Sequence, residues 1–253
     1  MVKAADEVMD ICLLAGEIML TYGAETYRVE ETLERMARAA DFTNVHCFTT
    51  TTGIFLSFEE KKGKEDLMQM VRIDDRVQDL NRVTEVNQVS REFTAKELTV
   101  EEAMERLQNI YNAPVQYPLW MIHLAAGVAG GGFSYLFGGG LADLIPAYIA
   151  AVVASIVVVE FERYFKVRFA SELAAAFFGG SVSILLVFIG LGANLDQIII
   201  GSIMPLVPGV PLTNAVRDLL SGDILAGMAR GVEALLTSLS IASGIAMAIS
   251  LFL

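Results

Sequence analysis

The chain has 253 residues, of which 54% are hydrophobic, and its mean hydropathy of +0.53 is too high for an ordinary soluble protein of this size. Its formal net charge of −12 argues against nucleic acid as a partner, because proteins bind that polyanion through basic surfaces. Residues 1–118 carry 13 Lys and Arg against 22 Asp and Glu, whereas residues 119–253 carry only 5 against 8. This uneven distribution predicts an acidic, water-soluble first domain followed by a membrane domain.

The first 17 residues lack a basic stretch followed by an uninterrupted apolar core, so we do not expect a signal peptide. Cys12 and Cys47 do not form a CxxC pair, and we expect both to be free thiols in a reducing compartment.

In residues 1–118 the hydrophobic pattern alternates between helical and strand periodicity. It predicts helices at about 3–22, 25–40, 79–94 and 100–112, and strands at about 45–52, 54–59 and 67–73. Gly23 is placed to end the first helix, and Thr99-x-x-Glu102 is a capping box that opens the last one. Residues 1–118 are therefore predicted to be a cytoplasmic α+β domain.

Residues 119–253 are predicted to be an all-α membrane domain of about five transmembrane helices. The apolar spans cover about 119–137, 141–159, 173–193, 196–212 and 231–253, each near the roughly 20 residues that a bilayer requires. Lys and Arg fall only in alternate connections, which places the N-terminus in the cytoplasm and the C-terminus outside. An odd number of spans does not divide into two inverted halves, so we expect an oligomer or a second subunit.

The fourth span is broken by residues that do not continue a helix. These residues are Pro205, Pro208, Gly209 and Pro211. The three prolines are expected to leave free the carbonyls four positions earlier, those of Gly201, Met204 and Val207. Because broken backbone at membrane depth survives only inside protein or beside a water-filled cavity, and transporters place their substrates there, this segment is the main candidate for function.

Polar residues follow the break directly. We expect Thr213 and Asn214 to lie at a new helix start, where exposed N–H groups bind anions, and Arg217 to grip a carboxylate one turn later. Asp218, Asp223 and Glu233 are candidates for proton coupling. The alternative is that these charges only mark the cytoplasmic boundary of the membrane.

Other polar residues favour structural roles. Asp143 and Glu160 are expected at span ends, and His123 as a hydrogen-bonded residue between helices. In the first domain, Glu25, Arg28 and Glu30 lie where one helix ends and the next begins. They either contribute to a functional site or cap the helix and form salt bridges. The sequence has no phosphate-binding glycine loop, no paired metal ligands and no nucleophile elbow, so we expect no metal, no cofactor, no ATP drive and no enzymatic activity.

The run from Met204 to Asp218, followed by Gly222-Asp223, resembles the signature of the threonine/serine exporter family. The element Gly23-Ala24-Glu25…Arg28-Val29-Glu30 resembles the N-terminal motif of that family. Since full-length members carry a second block of membrane helices, the chain looks like the stand-alone, YjjP-type first half, which pairs with a small membrane subunit of the second-half type.

The resemblance implies a subunit of a secondary exporter in the bacterial inner membrane, multi-pass and proton-coupled. Its substrate would be a small carboxylate-bearing metabolite, because fused members export threonine and serine and split pairs are associated with succinate. A competing interpretation is a membrane-tethered enzyme or sensor whose N-terminal domain carries the activity.

Overall fold

The structure is a computed structural model that describes residues 2–60, 66–74, 76–114 and 117–253. The chain divides into two compact units. The first unit contains the chain up to Pro114 together with Thr213–Gly231, and the second contains the part up to Leu212 together with Val232–Leu253. A late segment of the sequence therefore belongs to the N-terminal unit.

The first unit begins with two helices, α1 (Val2–Thr21) and α2 (Thr26–Ala39). Gly23 ends α1 as predicted, with a positive φ of 96° that an L side chain would rarely adopt. The Gly23 N–H donates to the Leu20 carbonyl and the Ala24 N–H to the Met19 carbonyl, which is the Schellman pattern of helix ends. This cap directs the chain straight into α2.

A three-stranded antiparallel sheet follows within the described residues, in the order β1 (Phe42–Thr50), β2 (Gly53–Glu60) and β3 (Asp66–Arg72). Ile54, Leu56 and Phe58 alternate along β2 and are buried, so one face of the sheet closes the core formed with α1 and α2. Two helices complete this part, α3 (Leu80–Thr94) and α4 (Val100–Asn112). The predicted capping box is present at the start of α4, with reciprocal hydrogen bonds between Thr99 and Glu102.

The remaining helices are α5 (Leu119–Leu136), α6 (Leu141–Phe165), α7 (Arg168–Phe188), α8 (Leu195–Ile203), α9 (Gly209–Ser221) and α10 (Ile224–Phe252). Four of the described helices, α5, α6, α7 and α10, are long and apolar enough to cross a membrane. The segment from α8 through the 3-10 turn Met204–Leu206 to α9 is bent by 62° and would make a fifth, broken span.

Each carbonyl that the prolines were expected to leave free has a partner. The Gly201 carbonyl accepts from the N–H of Met204, the Met204 carbonyl from that of Val207 at 3.2 Å, and the Val207 carbonyl from that of Gly209 at 2.8 Å. The prediction of free carbonyls was wrong because the chain tightens into 3-10 geometry and then turns at Val207, which satisfies these groups locally. Pro211 causes no break, because it is the third residue of α9, where a helix N–H has no intrahelical partner.

Glycines allow close packing in the second unit. A Cβ on Gly130 would collide with the Cβ of Ala151 and lie 2.9 Å from the carbonyl oxygen of Gly201, so α5 meets α6 and α8 at backbone distance. At Gly132 the same addition would meet nothing within 4 Å. Only part of the glycine-rich stretch in α5 is therefore required for packing.

The predicted fold class, an α+β soluble domain followed by a separate all-α membrane domain, was wrong. The described residues are 74% helical, with ten helices and only one small sheet. Residues 213–231 also pack with the N-terminal helices, so the sequence does not separate into a soluble part and then a membrane part. The reason is that α9 and the start of α10 carry polar side chains whose partners lie at residues 23–30. The boundary near residue 118 stays a prediction.

Candidate functional site

The candidate site lies in the first unit, where α1 ends and α2 begins. The N-cap residue of α2 is Glu25, whose side chain makes no capping hydrogen bond. The first N–H groups of a helix need acceptors, and the helix dipole favours negative charge there. The structure supplies that charge from a segment almost 200 residues later in the sequence.

Asp218, in α9, provides the acceptor at this helix start. The hydroxyl of Thr26, the first residue of α2, lies 2.9 Å from the Asp218 carboxylate and 3.1 Å from that of Asp223. Because a hydroxyl has one proton, it donates to one of these carboxylates at a time. Asp218 is fully buried and its other oxygen lies 3.4 Å from Nε of Arg230. The aspartate is therefore held between a helix N-terminus and a guanidinium.

The geometry of α9 explains why both aspartates face Thr26. Gly222 ends α9 with a φ of +96°, and the N–H of Asp223 donates to the Asp218 carbonyl at 2.9 Å. This second Schellman turn folds the chain back so that Asp223 lies beside Asp218. The sequence Asp218-x-x-x-Gly222-Asp223 thus builds a paired acidic site by local backbone geometry.

Two side chains of this segment bind the loop that precedes α2. Asn214 donates from Nδ2 to the Gly23 carbonyl at 3.1 Å, and Arg230 donates from Nη2 to the Ala24 carbonyl at 2.8 Å. Both carbonyls belong to the N-terminal motif identified in the sequence. These two hydrogen bonds fix the loop, and leaving the buried Ala24 carbonyl unpaired would cost about 1–3 kcal/mol.

Arg217 pairs with Glu25 across the same contact. Nη1 of Arg217 donates to one oxygen of the Glu25 carboxylate, and Arg28 lies 3.4 Å from the other oxygen. The Glu25 side chain is 9% exposed, whereas that of Arg217 is 51% exposed. The guanidinium of Arg217 therefore holds a carboxylate on one edge while much of its surface faces solvent.

Glu30 completes the site from the second turn of α2. It accepts a hydrogen bond from the N–H of Thr49 in β1 at 2.7 Å. Burial raises the pKa of Glu30 to about 7; the Thr49 hydrogen bond acts against the rise, and Asp223, Glu34 and Asp218 add to it. Glu30 consequently changes charge close to neutral pH.

The structure brings together the candidates Glu25, Arg28, Glu30, Asn214, Arg217, Asp218 and Asp223. It places others elsewhere. α9 begins at Gly209, so Thr213 is not at a helix start, although it belongs to the same unit. Glu233 belongs to the second unit, where it binds Arg168. The helix-breaking residues Pro205, Pro208, Gly209 and Pro211 also lie in the second unit.

Two residues of the second unit that the sequence predicted to be structural, Asp143 and His123, form hydrogen bonds that fit this role. The buried Asp143 carboxylate accepts four hydrogen bonds, from Gly140, Ala193 and the backbone and side chain of Asn194. His123 lies 2.9 Å from the Ser155 hydroxyl. Asp143 thus ties the turn before α6 to the turn before α8.

Two polar residues were missed in the sequence. Arg230 was not among the predicted site residues, although it contacts both Ala24 and Asp218. Glu172 was not considered, although it is a buried carboxylate in α7. An ionisable residue within an apolar helix is the signal that identifies both. Within the described part of the chain, no group of three or more His, Cys, Asp and Glu side chains could hold a metal ion.

Comparison with known families gives a match over residues 10–252 to the family described as "Putative threonine/serine exporter". A Klebsiella aerogenes protein called "Probable succinate transporter subunit YjjP" is 28% identical over 97% of this chain and 94% of its own length. The Escherichia coli K12 protein of that name is 27% identical over the same shares. A Mycobacterium tuberculosis "Probable threonine/serine exporter" is 23% identical over 94% of this chain but 45% of its own length. No solved structure matches the chain significantly.

Proposed function

We infer that this chain, which belongs to the threonine/serine exporter family, is one subunit of a secondary exporter for a small carboxylate-bearing metabolite. Family membership and the apolar helices make it a multi-pass membrane protein and a transporter rather than an enzyme. Threonine, serine and succinate, the substrates in the relatives' names, share a carboxylate group. The proposal therefore specifies only the carboxylate group of the substrate, and the transport measurement below is needed to identify the rest of the molecule.

The pair formed by Arg217 and Glu25 is the observation that carries this proposal. A guanidinium can bind a carboxylate through two parallel N–H donors, and here one N–H of Arg217 already donates to the Glu25 carboxylate. Since half of the Arg217 side chain is exposed, an arriving carboxylate has access to it. We place the substrate carboxylate on Arg217, where it exchanges with Glu25.

This exchange links substrate binding to the N-terminal motif. When the substrate displaces Glu25, that carboxylate keeps Arg28 as its counter-charge, 3.4 Å away, so it is not left as an unpaired buried charge. Asn214, Asp218 and Arg230 continue to hold the loop before α2 in the meantime. Direct substrate contacts of Thr213 and Asn214, and proton coupling by Asp218, Asp223 or Glu233, stay predictions.

The partner and the location belong to the same proposal. The relatives named as subunits support a second chain, which we expect to be the small second-half-type membrane subunit of the family. The positions of Lys and Arg support a bacterial inner-membrane protein with the N-terminus and residues up to 118 in the cytoplasm. We also expect the complex to be an oligomer.

The test is efflux from proteoliposomes loaded in parallel with labelled threonine, serine and succinate, with this chain alone and with the partner subunit. An imposed proton gradient should drive efflux of at least one substrate when both chains are present. Arg217→Ala should lower the initial rate of efflux by about tenfold or more, whereas Arg35→Ala, which removes an exposed arginine of α2 paired with Glu31, should leave it unchanged. Unchanged efflux in Arg217→Ala would refute the assigned role, and no efflux of any substrate from folded complex would refute the exporter.

A further inference from the structure

A second cluster of charged residues lies in the apolar helices of the second unit, separate from the Arg217 site. Arg168, the first residue of α7, donates from Nη1 to Glu233 in α10, and its Nε lies 3.3 Å from Glu172. One arginine thus bridges two carboxylates on two helices that are apolar enough to span a membrane. Ionisable groups in such helices are costly and mark proton or ion pathways in transporters.

Glu172 is the buried member of this cluster. Its side chain is 8% exposed, and one oxygen accepts from the Thr237 hydroxyl at 3.2 Å and from Arg168. The other oxygen, Oε2, is buried and has no hydrogen-bond partner among the residues that the structure describes. A carboxylate oxygen without a donor in an apolar environment carries a large desolvation cost. A proton on Oε2 removes that charge and leaves the hydrogen bond from Thr237 to the other oxygen in place.

The surroundings of Glu172 allow a proton to arrive. The Arg168 side chain is 41% exposed and that of Glu233 is 17% exposed, so the cluster reaches the surface of the chain along these two groups. Charges act on Glu172 from three helices: Arg168 in α7, Glu233 through Arg168 in α10, and Glu162 in α6. Glu172 therefore has a cation and two further acids in its surroundings, and the ion pairs of Arg168 can shift between Glu172 and Glu233.

We propose that Glu172 binds and releases the coupled proton, and that Arg168 divides its pairing between Glu172 and Glu233 accordingly. With Glu172 ionised, Arg168 bridges both carboxylates; with a proton on Oε2, the arginine pairs with Glu233 alone. The proton enters from water on one side of the membrane and leaves to water on the other, and no bond other than O–H forms or breaks. This inference rests on the proposed exporter and assigns proton coupling to Glu172, as an alternative to the sequence candidates Asp218, Asp223 and Glu233.

The experiment compares two modes of transport by this chain reconstituted with its partner subunit. Counterflow of labelled threonine or succinate against the unlabelled compound needs no net proton movement, whereas uptake driven by a pH gradient does. We expect the gradient to stimulate wild-type transport by about fivefold or more. In Glu172→Gln, counterflow should persist and this stimulation should be lost. Asp196→Asn, which neutralises an exposed acid of α8, should behave as wild type.

The outcomes separate this inference from the proposed function. Absent counterflow in the wild type contradicts the exporter itself, whereas gradient stimulation that survives in Glu172→Gln contradicts only the role of Glu172. Infrared spectroscopy of the purified wild-type protein gives a second readout that needs no transport. A carboxylic C=O band that titrates with pH and disappears in Glu172→Gln but not in Asp196→Asn supports the role. If Glu172→Gln does not fold, Glu172→Asp should shift the titration of that band; a spectrum without such a band overturns the proposal.

Discussion

Glu30 makes the contact between the N-terminal motif and α9 sensitive to pH, and Glu30→Gln should remove that sensitivity. Glutamine keeps the oxygen that accepts from the N–H of Thr49, but it carries no charge toward Asp218 and Asp223. The pKa of Glu30 rises from 4.5 to about 7 in the folded protein, so the folded state binds this proton more tightly than the unfolded state. Its stabilising contribution is present below pH 4.5 and is lost as the pH rises through 7.

The size of this stabilising contribution follows from the shift in the pKa of Glu30. At about 1.4 kcal/mol per pKa unit the upper limit is about 3 kcal/mol, and screening of the part-exposed side chain reduces the expected effect to about 1–2 kcal/mol. Hydrogen exchange of the amides in residues 23–36 measures it, once each rate is divided by the intrinsic rate at that pH. Wild-type protection should fall roughly tenfold between pH 5 and 8, whereas Glu30→Gln should show almost constant protection.

Glu31→Gln is the matched control, because Glu31 neighbours Glu30 but is exposed and pairs with Arg35. This variant should follow the wild-type pH dependence. In all three proteins, the protection of residues 100–112 should not change with pH. The reasoning would be refuted if Glu30→Gln lost protection in parallel with the wild type, or if wild-type protection rose with pH.

Three further predictions concern stability and reactivity. Asp143→Asn should lower the free energy of unfolding by about 3 kcal/mol or more in a denaturing-detergent titration, because an amide cannot accept all four hydrogen bonds; a change below about 0.5 kcal/mol would contradict this role. Gly130→Ala should destabilise by about 1–3 kcal/mol through its collision with Ala151, whereas Gly132→Ala should be neutral in the same titration, and equal effects would exclude the packing argument. Burial raises the pKa of the Cys47 thiol to about 12, so mass spectrometry should find slow iodoacetamide modification at neutral pH until the protein is unfolded; rapid modification of folded protein would be inconsistent with that burial.

The local elements could be predicted because their signals lie within a few residues of one another. The four predicted helices of the first 118 residues and the three strands form close to their predicted bounds, and the capping box at Thr99 is present. Gly23 ends α1 as expected, since a positive φ at a helix end favours glycine regardless of tertiary context.

The site could be predicted only in part. The sequence singled out both the Gly23–Glu30 element and the Thr213–Asp223 segment, but no local pattern shows that Asp218 accepts from Thr26. That contact depends on packing between residues 192 positions apart. The same packing overturned the expected succession of a soluble domain and a membrane domain, because Thr213–Gly231, which the sequence predicted to connect the fourth and fifth spans, belongs to the N-terminal unit.

The prolines show how a correct local rule can give a wrong structural detail. Each proline lacks an N–H, yet the chain compensates with a 3-10 turn at Met204–Leu206 and a helix start at Gly209. Sequence alone does not fix where a helix restarts, and placing it after Pro211 instead of at Gly209 put Thr213 at a helix N-terminus. Glu172 was not among the predicted site residues, although a single acid within the apolar helix α7 is itself a signal of function.

The central claim is that Arg217 binds Glu25 and the substrate carboxylate in turn, and a transport double-mutant cycle tests it most directly. Initial efflux rates of labelled succinate and threonine would be measured for the wild type, Glu25→Gln, Arg217→Gln and the double variant, each reconstituted with the partner subunit. Removing the competing carboxylate should lower the KM of Glu25→Gln, and the substitution at Glu25 should have no effect once Arg217 is absent. Independent, multiplicative effects of the two substitutions would contradict the account.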